Sequence, residues 1–380
     1  MKNGKISILQ VINTARIGGG MRHLYALLRH LPRDRYHLAV VAENGGFLVD
    51  EISRLDIPIH FIPLMRSRFD PAAVWRIARL ARTEGADLLH LHGTRAGFFG
   101  ALAKHLAGVR HSIYTVHGFS FHKDIGPGGR AFYLSIERFC ARAHSRLISV
   151  SGTDRDEAIR LGVCPPAQIE TIYNGIDFST FDPQRANGFL RHRLAVAPDV
   201  LLVGTVARLV PQKGVEYFLE MARLVKRRCP QVRFVVIGEG ELERTLKQRA
   251  DQMDLDGHVL FAGAQEQMAD CYAGLDVFVL SSLWEGHPLS LIESLAMECP
   301  TVATRTSGSP EIIDDGETGF LVAPKDPRQM ADKVCWLLEN AAQGRAMARE
   351  GRERCRDRFD ERHMVDQTLH MYEEILKGAR

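Results

Sequence analysis

The sequence predicts an α/β chain of two doubly wound, Rossmann-like domains with parallel sheets, facing each other across a cleft. Three observations carry that prediction. Short apolar runs alternate with helix-length amphipathic segments almost throughout the 380 residues, which is the rhythm of βαβ units. Those runs are apolar at most positions, as strands covered on both faces must be. Near the middle, residues 179–198 lose the periodicity and carry Pro, Gly, Asn and charge. This stretch reads as a linker between domains at 1–178 and 199–361.

Taken in order, the strand candidates of the first half are ISILQVI, HLAVVAE, IHFIPL, DLLHLHG, SIYTVHG, RLISVS and IETIYNG. Helical segments such as MRHLYALLRHL and PAAVWRIARLARTEG separate several of them. The second half repeats the rhythm with VLLVGTVAR, RFVVIGEG, HVLFAG, DVFVLSS and TVATRT. The tail MVDQTLHMYEEILKG has a largely apolar helical face and reads as a last helix over about residues 362–380.

Composition narrows the function classes. With 45% hydrophobic residues the chain can bury large cores, yet no apolar run approaches the roughly 20 residues that span a bilayer. The N-terminus has lysines and then a short strand-like run, without a signal-peptide h-region. Seven cysteines stand singly, with no C-x-x-C pair, so zinc and thiol redox work are disfavoured. The expected location is the cytoplasm, with room for peripheral contact at the inner face of the cell membrane. Up to and including Asp182 there are 23 Lys+Arg against 16 Asp+Glu, and beyond it 26 against 30. The first half is therefore +7 and the second −4, and a basic half suits nucleic acid, an anionic membrane or a phosphorylated substrate. Nothing resembles a recognition helix or a zinc finger, so nucleic acid is not expected.

The segment SLWEGHPLSLIES, 282–294, brackets a Gly-His-Pro turn with Glu285 and Glu293. Gly286 permits a sharp turn, and Pro288 suits the first position of a helix running through Leu289 and Ser290. Such a helix start, pointing out of the strand ends beside His287, binds phosphate through its free N–H groups and dipole. Two acids around a phosphate site suit a ligand with a sugar at each end, since each acid can accept from a diol. Upstream, Arg208 follows a strand and Lys213 precedes a helix; two fixed cations at that sheet edge would pair with a diphosphate.

Together, Arg208, Lys213, the Glu285-x7-Glu293 spacing, Asn174-Gly175-Ile176-Asp177, Gly238-Glu239-Gly240 and Asp315-Gly316-Glu317-Thr318-Gly319 with Phe320-Leu321-Val322 resemble glycosyltransferase family 4. The resemblance implies the GT-B fold: an N-terminal acceptor domain, a C-terminal nucleotide-sugar domain, and a final helix crossing back to the first. It implies a retaining transfer with no cofactor and no metal. In that reading Arg208 and Lys213 hold the departing diphosphate, Glu293 binds the ribose, and Glu285 the donor sugar hydroxyls. Gly238 and Gly263 belong to the donor side, with base selection near Gly263 to Glu266. Ile17-Gly18-Gly19-Gly20 lies against the donor phosphates or the acceptor, and His117 in TVHG near the donor sugar. Two departures stand out: Ser307 precedes Gly308 where the family often has two glycines, and Met21 and Arg22 follow the first-domain glycines.

On the acceptor side, His92 of LHLHG shares a strand face with His90, and RAFYLSIERFCARAHSR carries Arg130, Arg138, Arg142 and Arg146 on one helical face. YTVHGFSFHKD with the following IER is similar to transferases that build surface polysaccharides on polyprenyl diphosphate carriers. The matches Asp154-Arg155-Asp156 and Asp254-Leu255-Asp256 to D-x-D sites read as chance, and position 243 is Glu where a dinucleotide fingerprint needs glycine. The expected activity is transfer of a sugar from a nucleoside diphosphate, UDP-linked, to a hydroxyl of a glycan or polyprenyl-diphosphate-linked acceptor. Two rivals stay open. A nucleotide-sugar epimerase would convert donor without acceptor, and a non-catalytic sugar-nucleotide sensor would release no nucleoside diphosphate.

Overall fold

The computed structural model describes residues 4–13, 18–64, 70–122 and 125–377. Ile17, Lys123 and Asp124 of the motifs above lie outside these. The chain divides into two compact units, Met1–Asn174 with Glu361–Arg380, and Gly175–Asp360.

In the first unit seven parallel strands, β1 (Ile6–Ile12), β2 (Tyr36–Ala42), β3 (Ile59–Phe61), β4 (Leu88–His92), β5 (His111–Val116), β6 (Arg146–Ser149) and β7 (Ile169–Thr171), pair in the order β3-β2-β1-β4-β5-β6-β7. Side chains alternate between the faces. Leu9 and Val11 of β1 pack with Ile77, Phe99 and Cys140 of the helices Pro71–Thr83, Thr94–Ala107 and Gly126–Ala143. Ile8 and Ile12 face the other way, toward Leu24 and Leu27 of the helix Gly19–His30 and Met364 and Tyr372 of the helix Glu361–Lys377. The last helix is further tied to this unit by the Arg35–Glu373 ion pair at 2.5 Å and the His30–Glu361 contact at 2.7 Å.

The second unit holds six parallel strands, β8 (Leu202–Val206), β9 (Arg233–Ile237), β10 (Val259–Gly263), β11 (Val277–Leu280), β12 (Thr301–Thr304) and β13 (Phe320–Val322), ordered β10-β9-β8-β11-β12-β13. The strand β13 was absent from the candidate runs, because three residues are too few for a period to register.

Residues 179–198 are not a linker. They carry the helical turn Phe189–Arg193, whose Leu190 is buried and whose Arg191 pairs with Asp276 at 2.7 Å. A single helical turn has no room for an amphipathic pattern, so the stretch looked irregular. The chain passes between units at 174/175 and 360/361 instead.

Candidate active site

In open α/β sheets, ligands bind beyond the carboxyl ends of the strands where the strand order reverses. In the second unit that reversal lies between β8 and β11, which are neighbours in the sheet although β9 and β10 intervene in sequence. The loops leaving these two strands carry Arg208 and Lys213, and Glu285 through Ser290.

Glycine and backbone hydrogen bonds stitch the two loops together. Gly214 starts the helix Val215–Arg228 in the left-handed region at φ 55°, and a Cβ there would collide with the Ser281 carbonyl. Leu283 N–H donates to the Gln212 carbonyl at 2.8 Å, the Gln212 amide to the Trp284 carbonyl at 2.9 Å, and Ser281 Oγ to the Lys213 carbonyl at 3.0 Å. The result brings Lys213 Nζ to 2.5 Å from Glu285 Oε1, which also accepts from Ser282 Oγ at 2.6 Å. Glu285 is only 7% exposed. In this shielded setting each ion is the other's main compensation. Arg208 is exposed and has no ion-pair partner among the described residues. The surplus positive charge of the site therefore sits on Arg208.

Gly238-Glu239-Gly240 shapes this loop. A Cβ at Gly238 (φ 132°) would strike the Ala207 carbonyl, and one at Gly240 would lie 2.5 Å from that of Leu209. Ala207 and Leu209 N–H groups donate to the carbonyls of Ile237 and Glu239 at 3.0 and 2.9 Å, so Arg208 is held from both sides. Gly263 closes β10 and accepts from Gly238 N–H at 2.9 Å.

The helix Leu289–Ala296 follows the Gly286 turn, with Pro288 one residue earlier than expected, at the N-cap; no acid lies in its first turn. Glu293 is buried within it and accepts from Tyr272 Oη at 2.8 Å. Gly308 lies so close to Gly286 that a Cβ would collide with the Gly286 carbonyl. Of the pair Ser307-Gly308, it is therefore the second position that demands glycine. His287, expected beside the phosphates, is buried in the second unit. Its ring is buried 4.8 Å from that of Phe359, and burial, with Arg358 adding and Glu311 opposing, pushes its pKa down to about 3.

In the first unit the order reverses between β1 and β4. Gly18 is extended there, and Gly19 and Gly20 open the helix Gly19–His30. A Cβ at Gly20 would come within 2.9 Å of His117 Cδ2, so the glycine lets this imidazole, at the end of β5, pack against the helix start. Strand alternation places Gln10, His90, His92 and Thr115 on one face, below His117. His92 Nδ1 lies 3.3 Å from His117 Nε2, and His92 Nε2 lies 2.9 Å from Gln10 Oε1. His23 from the covering helix has its ring 5.0 Å from His117 and bonds Asn174 Oδ1 at 3.0 Å. Burial, and after it the neighbouring imidazoles, hold His90, His92 and His117 well below the ordinary histidine pKa. Burial brings His23 to about 4, against the Asn174 bond. Gln10 and His23 escaped the sequence reading, although Gln10 is the one polar residue on its face of ISILQVI, the buried Ser7 pointing to the other.

The acceptor-side candidates fare differently. Both ring nitrogens of the buried His92 are taken by protein, so it cannot touch an acceptor directly. Arg138 donates to the carbonyls of Leu161 and Gly162 at 2.7 and 3.2 Å and caps a helix end. Arg130 stays half exposed, 3.4 Å from Glu157. That carboxylate also faces His122 at 3.8 Å, and His122 pairs with the buried Asp154 at 3.2 Å. Burial disfavours the His122 charge, but the bond to Asp154 and the two carboxylates outweigh it and raise its pKa. Of the other D-x-D match, Asp254 sits in a left-handed turn at φ 57°.

Residues 17–180 match the family described as Glycosyltransferase Family 4, and residues 189–354 that described as Glycosyl transferases group 1. The chain is 31% identical over 324 residues to the putative glycosyltransferase EpsD of Bacillus subtilis, covering 82% of this chain and 83% of that protein. The chain belongs to glycosyltransferase family 4. This glycosyltransferase is also 28% identical over 332 residues to the UDP-Gal:alpha-D-GlcNAc-diphosphoundecaprenol alpha-1,3-galactosyltransferase of Escherichia coli, covering 85% and 86% of the two chains. Its fold matches Anabaena Alr3699/HepE in complex with UDP-glucose, at TM-score 0.84 and 22% identity over 97% of this chain and 100% of that one. The two Rossmann-like units are thus the two halves of a GT-B enzyme. The epimerase and sensor readings give way to a transferase.

Proposed function

We propose that this glycosyltransferase moves a sugar from a UDP-linked donor to a hydroxyl of a lipid-linked glycan intermediate in bacterial surface polysaccharide synthesis, retaining the anomeric configuration and using no metal ion. The observation that carries the reading is the switch point of the second unit, where Arg208, the Lys213–Glu285 pair and the start of the helix Leu289–Ala296 converge. The names of the relatives support the rest: the Escherichia coli protein carries UDP-Gal and a diphosphoundecaprenol acceptor in its name, and the Anabaena protein was crystallised with UDP-glucose.

The donor diphosphate meets Arg208 first, as the exposed and unpaired cation. Lys213 then exchanges Glu285 for a phosphate oxygen, and Glu285, so released, accepts from donor-sugar hydroxyls. Glu293 takes the ribose, and the loop Gly263 to Glu266 the base. As the glycosidic bond breaks, charge grows on the diphosphate between fixed cations, where such stabilisation is worth most. Glu285 serves as a hydroxyl acceptor rather than a nucleophile, so the acceptor oxygen attacks from the face the diphosphate leaves. Its proton passes to the departing phosphate.

The helices Pro71–Thr83, Thr94–Ala107 and Gly126–Ala143 favour a membrane-borne acceptor. They expose Trp75 (56%), Leu106 (52%), Phe132 (58%) and Phe139. Eight Lys and Arg occur in them, and their one acid, Glu137, is buried. Exposed aromatic side chains on helices with this excess of basic residues suit the interface of an anionic bilayer. The protein would act peripherally at the inner face of the membrane.

The test is a panel of sugar nucleotides with polyprenyl-diphosphate-linked and soluble acceptors, run with and without chelator, reading released nucleoside diphosphate and product linkage. Retained configuration and chelator-resistant turnover with the lipid-linked acceptor are expected. An inverted product, or turnover abolished by chelation, would overturn the mechanism.

A further inference from the structure

The first unit buries a chain of polar side chains with one internally consistent order of protons. Gln10 Nε2 lies 3.1 Å from Tyr372 Oη; an amide nitrogen only donates, so the phenol oxygen accepts. Gln10 Oε1, which only accepts, faces His92 Nε2 at 2.9 Å, so His92 carries its proton on Nε2. A neutral His92 then presents a bare Nδ1, and His117, 3.3 Å away, must place its own proton on Nε2. The other branch closes in the same sense. Tyr372 gives its proton to His90 Nδ1 at 2.6 Å, and His90 Nε2 donates to Thr115 Oγ1 at 2.7 Å. One nitrogen is left over: His117 Nδ1 is buried and has no hydrogen-bond partner among the described residues.

We propose that Gln10 and Tyr372, acting through His92, are positioning residues that lock His117 in its Nε2–H tautomer, so that Nδ1 meets the substrate as a hydrogen-bond acceptor and never as a donor. This rests on the reading above that His117 lies near the donor sugar, and it gives that contact a chemical sense. His117 selects a hydroxyl, which brings its own proton, over a phosphate oxygen, which would need one. Burial keeps the imidazoles neutral, and their packing adds to it: His23, His90, His92 and His117 crowd one another, with His90–His92 rings 4.2 Å apart and His92–His117 rings 5.5 Å apart, so a second charge in the cluster would be repelled by the first. Turning the Gln10 amide around would reverse the donors along both branches and put a proton on His117 Nδ1. The order is therefore binary and can be read directly.

The experiment is long-range proton–nitrogen spectroscopy of the full chain with ¹⁵N-labelled histidine at pH 7, with His117 and His92 assigned by His117→Asn and His92→Asn. Both residues are expected as single neutral Nε2–H tautomers, and in Gln10→Met His117 should become a mixture of tautomers. Tyr372→Phe, which removes only the hydroxyl that holds the amide, serves the same purpose if Gln10→Met does not fold. His117 protonated at Nδ1 or at both nitrogens in the unmodified protein, or an unchanged tautomer in both variants, would overturn the proposal. Rates test the other reading separately. A mixed tautomer should cost about two- to tenfold in kcat/KM, the worth of one hydrogen bond; a changed tautomer with an unchanged rate leaves the relay standing and removes His117 from the substrate.

Discussion

Lys213 Nζ and Glu285 Oε1 lie 2.5 Å apart, joining the loops that leave β8 and β11. In the proposed reaction the pair keeps a half-buried cation where a diphosphate would claim it, so donor binding would be an exchange of partners rather than the desolvation of a bare ammonium.

Lys213→Ala should lower turnover at saturating donor by about 10² to 10³, the usual cost of removing one fixed donor to a developing anion. It also leaves Glu285 buried without its cation, so thermal unfolding should shift downward. Steady-state kinetics well below the new midpoint separates the two effects. Unchanged turnover would remove Lys213 from the leaving-group site.

Gly308→Ala should destabilise the second unit by about 1–3 kcal/mol or more, because its methyl would collide with the Gly286 carbonyl and crowd the Cα of His287, both of them backbone. Since Gly286 shapes the turn before the helix Leu289–Ala296, donor affinity should fall with stability. Thermal unfolding and donor titration of the variant measure both, and a variant with native midpoint and affinity would contradict the packing.

Glu137 accepts from Thr94 Oγ1 at 2.8 Å and from Tyr114 Oη at 3.0 Å, yet burial, against those two bonds, lifts its pKa to about 7. A carboxyl raised in the folded state keeps its proton while the unfolded chain has lost it. Glu137 therefore contributes most below the ordinary carboxyl range and progressively less as pH rises toward about 7. Glu137→Gln, which cannot ionise, should gain stability relative to the parent on going from pH 5 to pH 8. Melting both proteins at the two pH values decides it, and a constant difference would show that Glu137 does not titrate in this interval.

Phe132→Ser combined with Trp75→Ser should weaken sedimentation with vesicles containing anionic lipid while leaving turnover on a soluble acceptor unchanged. Binding by the parent should also fall as salt is raised, since cations supply part of the attraction. Equal binding to vesicles of purely zwitterionic lipid would point to a different partner for this face.

Much of the architecture was legible because parallel strands buried on both faces read as unbroken apolar runs; RFVVI and VFVL declared themselves. The placements of Arg208, Lys213 and Glu285 at strand ends followed from the same runs. Burial was harder to read. His287 sits in a motif that promises a ligand, yet its ring packs on Phe359, 72 residues away in sequence. Arg138 looks like part of a solvated basic stripe, whereas its guanidinium caps the end of another helix. The histidine layer depends on partners as distant as Gln10 and Tyr372, which no local spacing links.

That distance also orders the making of the molecule. Gln10 is synthesised 362 residues before Tyr372, the phenol that completes its hydrogen bonds. All of Gly175–Asp360 leaves the ribosome in between. The second unit is one contiguous segment and can close on itself during translation. The first must wait with its polar layer uncapped, so its active geometry cannot form before Tyr372 has been made.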